Sequence, residues 1–143
     1  MDKPKILIVD DVPFLRRALK LRLRANHYDT VHAEDGSSAI AMAQKEKPNI
    51  IILDLGLPSG DGFVVLQDLQ KRDSLASIPV IVLTGWDAAF NEPKSLQAGA
   101  TAFFQKPADN NELLGAIRKT LMNVWRKTTL PRKREAEVTP GLG

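Results

Sequence analysis

The sequence predicts an α/β fold in which five parallel strands form one sheet with helices on both faces. Five short aliphatic or β-branched runs alternate regularly with segments that repeat apolar residues at helical spacing. Three of the runs are continuously apolar, which is typical of parallel strands covered on both faces. A length of 143 residues, with 43% hydrophobic and 26% charged residues, fits one domain with its own core.

The five predicted strands follow the apolar runs in chain order. They are KILIVD (5–10), DTVHAE (29–34), NIIILD (49–54), PVIVLT (79–84) and TAFFQK (101–106). The continuously apolar centres belong to the first, third and fourth runs. These three strands are therefore expected in the middle of the sheet.

Helical segments separate and follow the strands. Their periodic apolar residues are Leu15, Leu19 and Leu23; Ile40 and Ala43; Phe63, Leu66 and Leu69; Leu96; and Leu113, Leu114, Ile117 and Leu121. Asp109 can cap the last helix and Glu112 can reach back, as in a capping box, and this helix is expected to end near Val124. The fourth helix is expected to run only from about Pro93 to before Gly99, because proline lacks an N–H and restricts the residues before it.

The segment after Trp125 has a different composition. Residues 126–143, RKTTLPRKREAEVTPGLG, contain two prolines, two glycines and many charges, without an apolar face. We expect a disordered basic tail or linker there, and a folded domain over residues 1–125.

Composition and charge exclude several classes of protein. The chain has no cysteine, which rules out disulfides and thiolate metal sites. Its first apolar run is too short for a signal peptide or a membrane span, so a cytoplasmic location is expected. The net charge is +3, with basic residues concentrated in 16–24 and 118–134. Such stretches can attract nucleic acid, but without a recognition motif a solvated helix face and a tail are the simpler interpretation, and direct nucleic-acid binding is not expected.

Polar side chains stand at the ends of four predicted strands: Asp10 and Asp11, Asp54, Thr84, and Lys106. Ligands of open parallel sheets bind outside the carboxyl ends of the strands, so these side chains are expected in one crevice. Three carboxylates there would repel one another unless cations compensate them. Mg2+ suits oxygen ligands of this kind, and Lys106 supplies an ammonium group.

Asp54 is the candidate nucleophile, because it stands alone at a central strand end before the loop LGLPSGDG (55–62). A carboxylate beside Mg2+ can attack phosphorus, and phosphoryl transfer mainly needs alignment and charge neutralisation. Lys106 and the Thr84 hydroxyl could neutralise the charge on the phosphoryl oxygens. Each residue alone also has a structural explanation, such as a turn or a helix cap. Their conjunction favours phosphoryl chemistry.

These segments together resemble the response regulator receiver family. ILIVDD carries the acid pair, IIILDLGLPSGDG the acceptor loop, VIVLTG the threonine, and AGATAFFQKP the fifth strand and the lysine. Order and spacing match from Lys5 to about Trp125. The resemblance implies a flavodoxin-like, doubly wound sheet of strand order 2-1-3-4-5.

The resemblance also implies roles for the matching residues. Asp10, Asp11, Asp54 and the backbone carbonyl of Gly56 are expected to bind Mg2+. Asp54 is expected to accept a phosphoryl group from a histidine kinase or a phosphotransfer protein, with Lys106 pairing with that group.

A switch to the output is implied as well. Thr84 is expected to contact the phosphoryl group, and Phe103, three residues before the lysine, corresponds to an aromatic that changes rotamer as the threonine moves. The switching surface would comprise the fourth helix, the fifth strand and the fifth helix, through which a phosphorylation-dependent homodimer could form.

Some residues depart from the family pattern or lie outside it. Gly56 has no side chain two residues beyond Asp54, whereas Trp86, two beyond Thr84, is bulky. Both positions flank the approach of water to an acyl phosphate, which leaves its lifetime open. His27 and His32 match no metal spacing and are interpreted as surface or packing residues.

Two other functions agree less well with the sequence. A phosphohydrolase that resembles the haloacid dehalogenase group would carry its nucleophile on the first strand as Asp-x-Asp, but this strand gives Asp10-Asp11-Val12 and no cap insertion follows. A receiver-like scaffold that is never phosphorylated would not need the complete set of acids, threonine and lysine. The cognate kinase, the output, the oligomeric state and membership of a longer protein stay open.

Overall fold

The computed structural model describes residues 3–58 and 62–129. Strands and helices alternate as β1 (Lys5–Val9), α1 (Pro13–Ala25), β2 (Asp29–Ala33), α2 (Gly36–Glu46), β3 (Ile50–Leu53), α3 (Gly62–Lys71), β4 (Val80–Thr84), α4 (Ala88–Gln97), β5 (Ala102–Gln105) and α5 (Asn110–Thr129). All neighbouring strands are parallel, in the order β2-β1-β3-β4-β5. The predicted fold class and strand order are confirmed, and each strand lies within its predicted range.

Two hydrophobic layers, one on each face of the sheet, explain why the central strands are apolar at every position. On β1, Leu7 and Val9 pack into the layer that α2 and α3 cover. Ile6 and Ile8 pack into the layer that α1 and α5 cover. All four side chains are almost fully buried. A strand buried on both faces cannot alternate apolar and polar residues.

The fourth helix is longer than predicted, because α4 begins at Ala88 and contains Pro93. A proline inside a helix removes one backbone hydrogen bond. Two side chains stabilise α4 nevertheless, one at its start and one across the proline. The Gln105 side-chain oxygen accepts from the first helical amide, that of Ala88, at 3.0 Å. The Ser95 hydroxyl donates to the carbonyl of Asn91 at 2.6 Å. The buried face of α4 is polar, whereas Leu96, on which the prediction rested, is 45% exposed.

The fifth helix also extends further than predicted, to Thr129 instead of Val124. Its start agrees with the prediction, since Asp109 accepts from the backbone amide of Glu112 at 3.0 Å. Arg126 and Lys127 lie in the last turn, where cations interact favourably with the helix dipole. The predicted boundary at residue 125 therefore falls inside α5, and the rest of the predicted tail, 130–143, lies outside the described residues. Over the described part of the chain, no helix is long and apolar enough to cross a membrane.

Candidate functional site

Three carboxylates meet at the carboxyl edge of the sheet, as the strand ends predicted. Asp10 and Asp11 follow β1, and Asp54 follows β3, which pairs directly with β1. One oxygen from each carboxylate lies within 4.8 Å of the other two. Asp10 and Asp54 are only 6% and 8% exposed, whereas Asp11 is half-buried. Such a group of hard oxygen donors could hold a metal ion.

Backbone amides orient the two buried carboxylates. Oδ1 of Asp10 accepts from the amide of Val12 at 2.9 Å, and Oδ1 of Asp54 accepts from the amide of Gly56 at 3.0 Å. Both donors lie two residues beyond the aspartate, so each strand end turns back on its own side chain. The second oxygen of each carboxylate is left to face the centre of the crevice.

Lys106 lies between those two second oxygens. Its Nζ donates to Oδ2 of Asp10 at 2.7 Å and to Oδ2 of Asp54 at 3.2 Å. Burial acts to lower the pKa of Lys106, but the hydrogen bonds and charges of the two carboxylates outweigh this effect, so that the pKa is raised. The crevice therefore keeps its own cation between two of its acids.

Replacing this cation should destabilise the protein. We expect Lys106→Met to lower the free energy of unfolding near neutral pH by about 1–3 kcal/mol, because two crowded carboxylates lose their cation. A group whose pKa is raised by folding stabilises below its ordinary value, here 10.5, and loses that contribution as the pH rises through the folded-state value. The difference from wild type should therefore shrink in strongly alkaline solution.

Urea unfolding of both proteins, without divalent metal, at neutral and alkaline pH measures this difference. The matched control is Lys119→Met, which removes an exposed cation from α5. A deficit that is absent at neutral pH, or that grows with pH, contradicts the ion-pair account.

The hydroxyl of Thr84 is fully buried at the end of β4. Its Oγ1 accepts from the backbone amide of Trp86 at a rather long 3.3 Å. The carbonyl of Thr84 accepts from the amide of Lys106 at 2.7 Å, which ties the threonine to the lysine through β5. Thr84 pairs with Gln105, and Val82 pairs with Phe103. Phe103 is partly buried against the layer that contains Leu7 and Val9 and that α2 and α3 cover.

An aromatic side chain lies against Gly56 of the acceptor loop, a contact that the sequence alone did not reveal. The Trp86 Nε1 atom lies 3.1 Å from the point that a Cβ of residue 56 would occupy. The ring of Phe63 lies 6.2 Å from that of Trp86, and Lys94 stands 4.1 Å above the Phe63 ring. Gly56 and Trp86 were noted separately as departures, but they form one pair: the missing side chain leaves room for the indole.

Two further contacts near the site are not predicted by the sequence. Arg16 of α1 donates from Nη1 to the carbonyl of Asp10 at 2.8 Å, and Gln105 caps α4. Spacing in the sequence gave no signal for either, because both bonds join different elements.

His27 and His32 are exposed and outside the crevice, which agrees with their interpretation as surface residues.

Comparison with known proteins identifies the family. The sequence model of the response regulator receiver domain family matches residues 6–118, which is more than half of the chain. The response regulator PleD of Caulobacter vibrioides is 37% identical over 114 residues, which cover 80% of this chain and 25% of PleD. The DNA-binding dual master transcriptional regulator RpaA of Synechocystis is 36% identical over 118 residues, which cover 82% of this chain and 49% of RpaA. The chain thus spans half or less of the length of these two relatives.

Solved structures agree with the sequence relatives. A CheY-like response regulator receiver domain protein from Methanospirillum hungatei superimposes with a TM-score of 0.81 at 28% identity. The alignment covers 88% of this chain and 99% of that one. The strand order, the acid group at the carboxyl edge and the family match lead to one assignment: the chain belongs to the response regulator receiver domain family.

Proposed function

We propose that Asp54 accepts a phosphoryl group and makes this receiver domain a phosphorylation switch. The observation that carries the proposal is the arrangement of Asp10, Asp54 and Lys106, in which two buried carboxylates share one ammonium at 2.7 and 3.2 Å. The family match supports it, since the resemblance assigns the acceptor role to the aspartate after the third strand. The proposed donor is a histidine kinase or a phosphotransfer protein.

The metal proposed for this site is Mg2+, held by Asp10, Asp11, Asp54 and the backbone carbonyl of Gly56. Three carboxylate oxygens within 4.8 Å match the hard donors that this ion prefers. The amides of Val12 and Gly56 orient two of the carboxylates in advance. When bound, Mg2+ would neutralise charge on the oxygens of the phosphoryl group.

In the transfer, an oxygen of Asp54 forms a bond to phosphorus while the bond from phosphorus to the donor's imidazole nitrogen breaks. The electron pair of that bond stays on the nitrogen. The ammonium of Lys106, already beside Asp54, pairs with the negative charge of the phosphoryl group. The Thr84 hydroxyl is the second proposed contact. Thr84 ends β4 and Lys106 directly follows β5, so the sheet keeps both side chains aligned with the phosphoryl group.

The proposed switch begins at Thr84. Turning its hydroxyl toward the phosphoryl group gives up only the long bond from the amide of Trp86. Thr84, Phe103 and Gln105 share the face of the sheet on which α4 lies, and Gln105 caps that helix. A shift of Thr84 can therefore pass to α4 through β5, with Phe103 changing rotamer. Phosphorylation would thus select one of two arrangements of the α4-β5-α5 surface.

A phosphorylation-dependent homodimer through α4-β5-α5 is also proposed. Leu96 of α4 and Met122 of α5 are 45% and 51% exposed, which supplies apolar area on both helices. We also propose that the chain acts as a cytoplasmic signalling protein. RpaA is named a DNA-binding regulator, but nucleic-acid binding by this domain itself is not proposed.

Incubation of the full chain with Mg2+ and acetyl phosphate, followed by intact mass, tests the proposal. We expect a gain of one phosphoryl group that disappears when a chelator replaces Mg2+. Release of phosphate from an external phosphomonoester would instead favour the phosphohydrolase, which neither the first strand nor the family match supports. If the wild-type chain gains no mass, the proposal is wrong, and the remaining function is that of a receiver-like scaffold that is never phosphorylated.

The contact between Trp86 and Gly56 should control how long the phosphoryl group persists. We expect Trp86→Ala to shorten the lifetime of phosphorylated Asp54 severalfold, because the indole covers the loop beside the carboxylate and limits the approach of water. Decay of the added mass after removal of acetyl phosphate measures it. Trp125→Ala, which removes an indole from the end of α5, is the matched control. Equal lifetimes in wild type and Trp86→Ala would contradict the shielding role.

A further inference from the structure

A second group of basic side chains lies in a cleft between α1 and β2, away from the acid crevice. The cleft encloses about 260 Å³. Its polar walls are formed by Arg16, Arg17 and Lys20 from α1 and by Thr30 and His32 from β2. None of these residues belongs to the proposed phosphorylation site, although Arg16 touches the backbone of Asp10.

The cleft exists because β2 is an edge strand. Thr30 and His32 pair with Ile6 and Ile8, whose side chains enter the layer beneath α1 and α5. The two β2 residues therefore point to the same side as α1. A single helix does not cover the outermost strand completely, so this side of β2 remains open next to the basic face of the helix.

Among the described residues, no ion pair compensates the charge in the cleft. No acidic residue is among those that line it. The ion pairs found between described residues join Lys5 with Glu46, Arg72 with Asp68, and Lys106 with its two aspartates, so none involves a cation of the cleft. Arg16 gives one N–H to the carbonyl of Asp10, which fixes its guanidinium and leaves further donors for a ligand.

The hydroxyl of Thr30 gives an independent indication. Its Oγ1 is the one buried side-chain oxygen or nitrogen, among the described residues, without a hydrogen-bond partner. Buried polar groups are normally satisfied, and an exception often marks the place of a water or a ligand. Thr30 lines the cleft, and rotation about its χ1 angle is the step that would bring this buried hydroxyl to a bound anion.

We propose that this cleft binds the phosphate groups of a small molecule, of the size of a nucleoside diphosphate. Arginine guanidinium groups match phosphate oxygens in pairs, and a lysine, an imidazole and a hydroxyl complete a set of donors around one anion. The volume lies just below the usual range of small-molecule sites, about 300–1,000 Å³, which suits a diphosphate group better than a large cofactor. The site is distinct from Asp54 and needs no metal.

Titration of the full chain with pyrophosphate and with ADP, in chelator and at constant ionic strength, tests the proposal. Calorimetry gives the affinity, and amide chemical shifts give the location. We expect shifts at Thr30 and His32, and about a tenfold loss of affinity in Arg17→Gln/Lys20→Gln, because charge-assisted contacts to phosphate are lost. The matched control, Lys45→Gln/Lys71→Gln, removes two exposed cations from α2 and α3 on the other face of the sheet and should bind as wild type does.

A second variant keeps the test independent of charge. Thr30→Val retains the shape of the side chain and removes only the hydroxyl, so it should weaken ADP binding while keeping the fold, as checked by circular dichroism. The proposal is overturned by no binding at millimolar ligand, by equal affinity in the double variant and wild type, or by shifts confined to Thr84 and Lys106. Tighter binding of a DNA or RNA oligonucleotide than of ADP would also overturn it, since the face would then follow a polyanion instead of a small molecule.

Discussion

Asp54→Asn should stay at its unmodified mass after incubation with Mg2+ and acetyl phosphate, whereas wild type gains one phosphoryl group. The amide oxygen of asparagine is neither charged nor nucleophilic enough to form the acyl phosphate. The Asp54 carboxylate is buried and oriented by the Gly56 amide at 3.0 Å, and Lys106 lies 3.2 Å away as its counter-charge. The expected loss is complete, the largest functional effect of any substitution considered for this protein.

The control for this variant is Asp73→Asn, which removes an exposed carboxylate and should leave the mass gain intact. Thermal unfolding of Asp54→Asn distinguishes loss of chemistry from loss of fold. The variant should unfold at or near the wild-type temperature, because it removes one of several crowded negative charges. An equal mass gain in Asp54→Asn and wild type would mean that another residue, such as Asp11, is the acceptor.

Gly62→Ala should lower the free energy of unfolding by about 1–3 kcal/mol, even though alanine favours helices over glycine. A Cβ at this position would lie 2.5 Å from the Cα of Leu55 and 2.6 Å from the carbonyl oxygen of Asp54. Both are backbone atoms, so no flexible side chain can move aside. The amide of Gly62 donates to the carbonyl of Leu55 at 2.8 Å, which holds the start of α3 against the acceptor loop.

Urea unfolding measures this cost, with Gly115→Ala as the matched control. Gly115 lies within α5, where a Cβ would meet only the end of the Arg118 side chain at 4.0 Å. That substitution should stabilise the protein by about 0.5–1 kcal/mol, since only the entropy of glycine is lost. The two glycines should thus respond with opposite signs. A Gly62→Ala protein as stable as wild type would contradict the close approach of α3 to the loop.

The features predicted correctly from the sequence are those that depend on local pattern or on a rule about parallel sheets. Continuous apolar runs identified β1, β3 and β4, because a strand covered on both faces has no polar position. The meeting of Asp10, Asp54 and Lys106 followed from the shared carboxyl edge of their strands. Neither step required knowledge of any contact between side chains.

The features that were missed depend on contacts between separate elements. The sequence predicts a start of α4 near Pro93, but Gln105 on β5 caps the helix five residues earlier, at Ala88. The contact between Trp86 and Gly56 joins two loops that follow different strands. The end of α5 was placed too early because its apolar pattern stops before the helix does, and the basic residues of its last turn were read as the beginning of a tail.

Pro93 has a consequence for how the native protein opens to solvent. Without an N–H at this position, the carbonyl of Ala89 lacks its usual helical partner, so the hydrogen-bond ladder of α4 is interrupted. Gln105 holds the first turn of the helix, and the hydroxyl of Ser95 bonds to the carbonyl of Asn91 across the proline. Because α4 has one backbone hydrogen bond fewer and most of its residues are exposed, its amide protons can exchange through a local opening at lower free energy than the global unfolding that exposes the central strands.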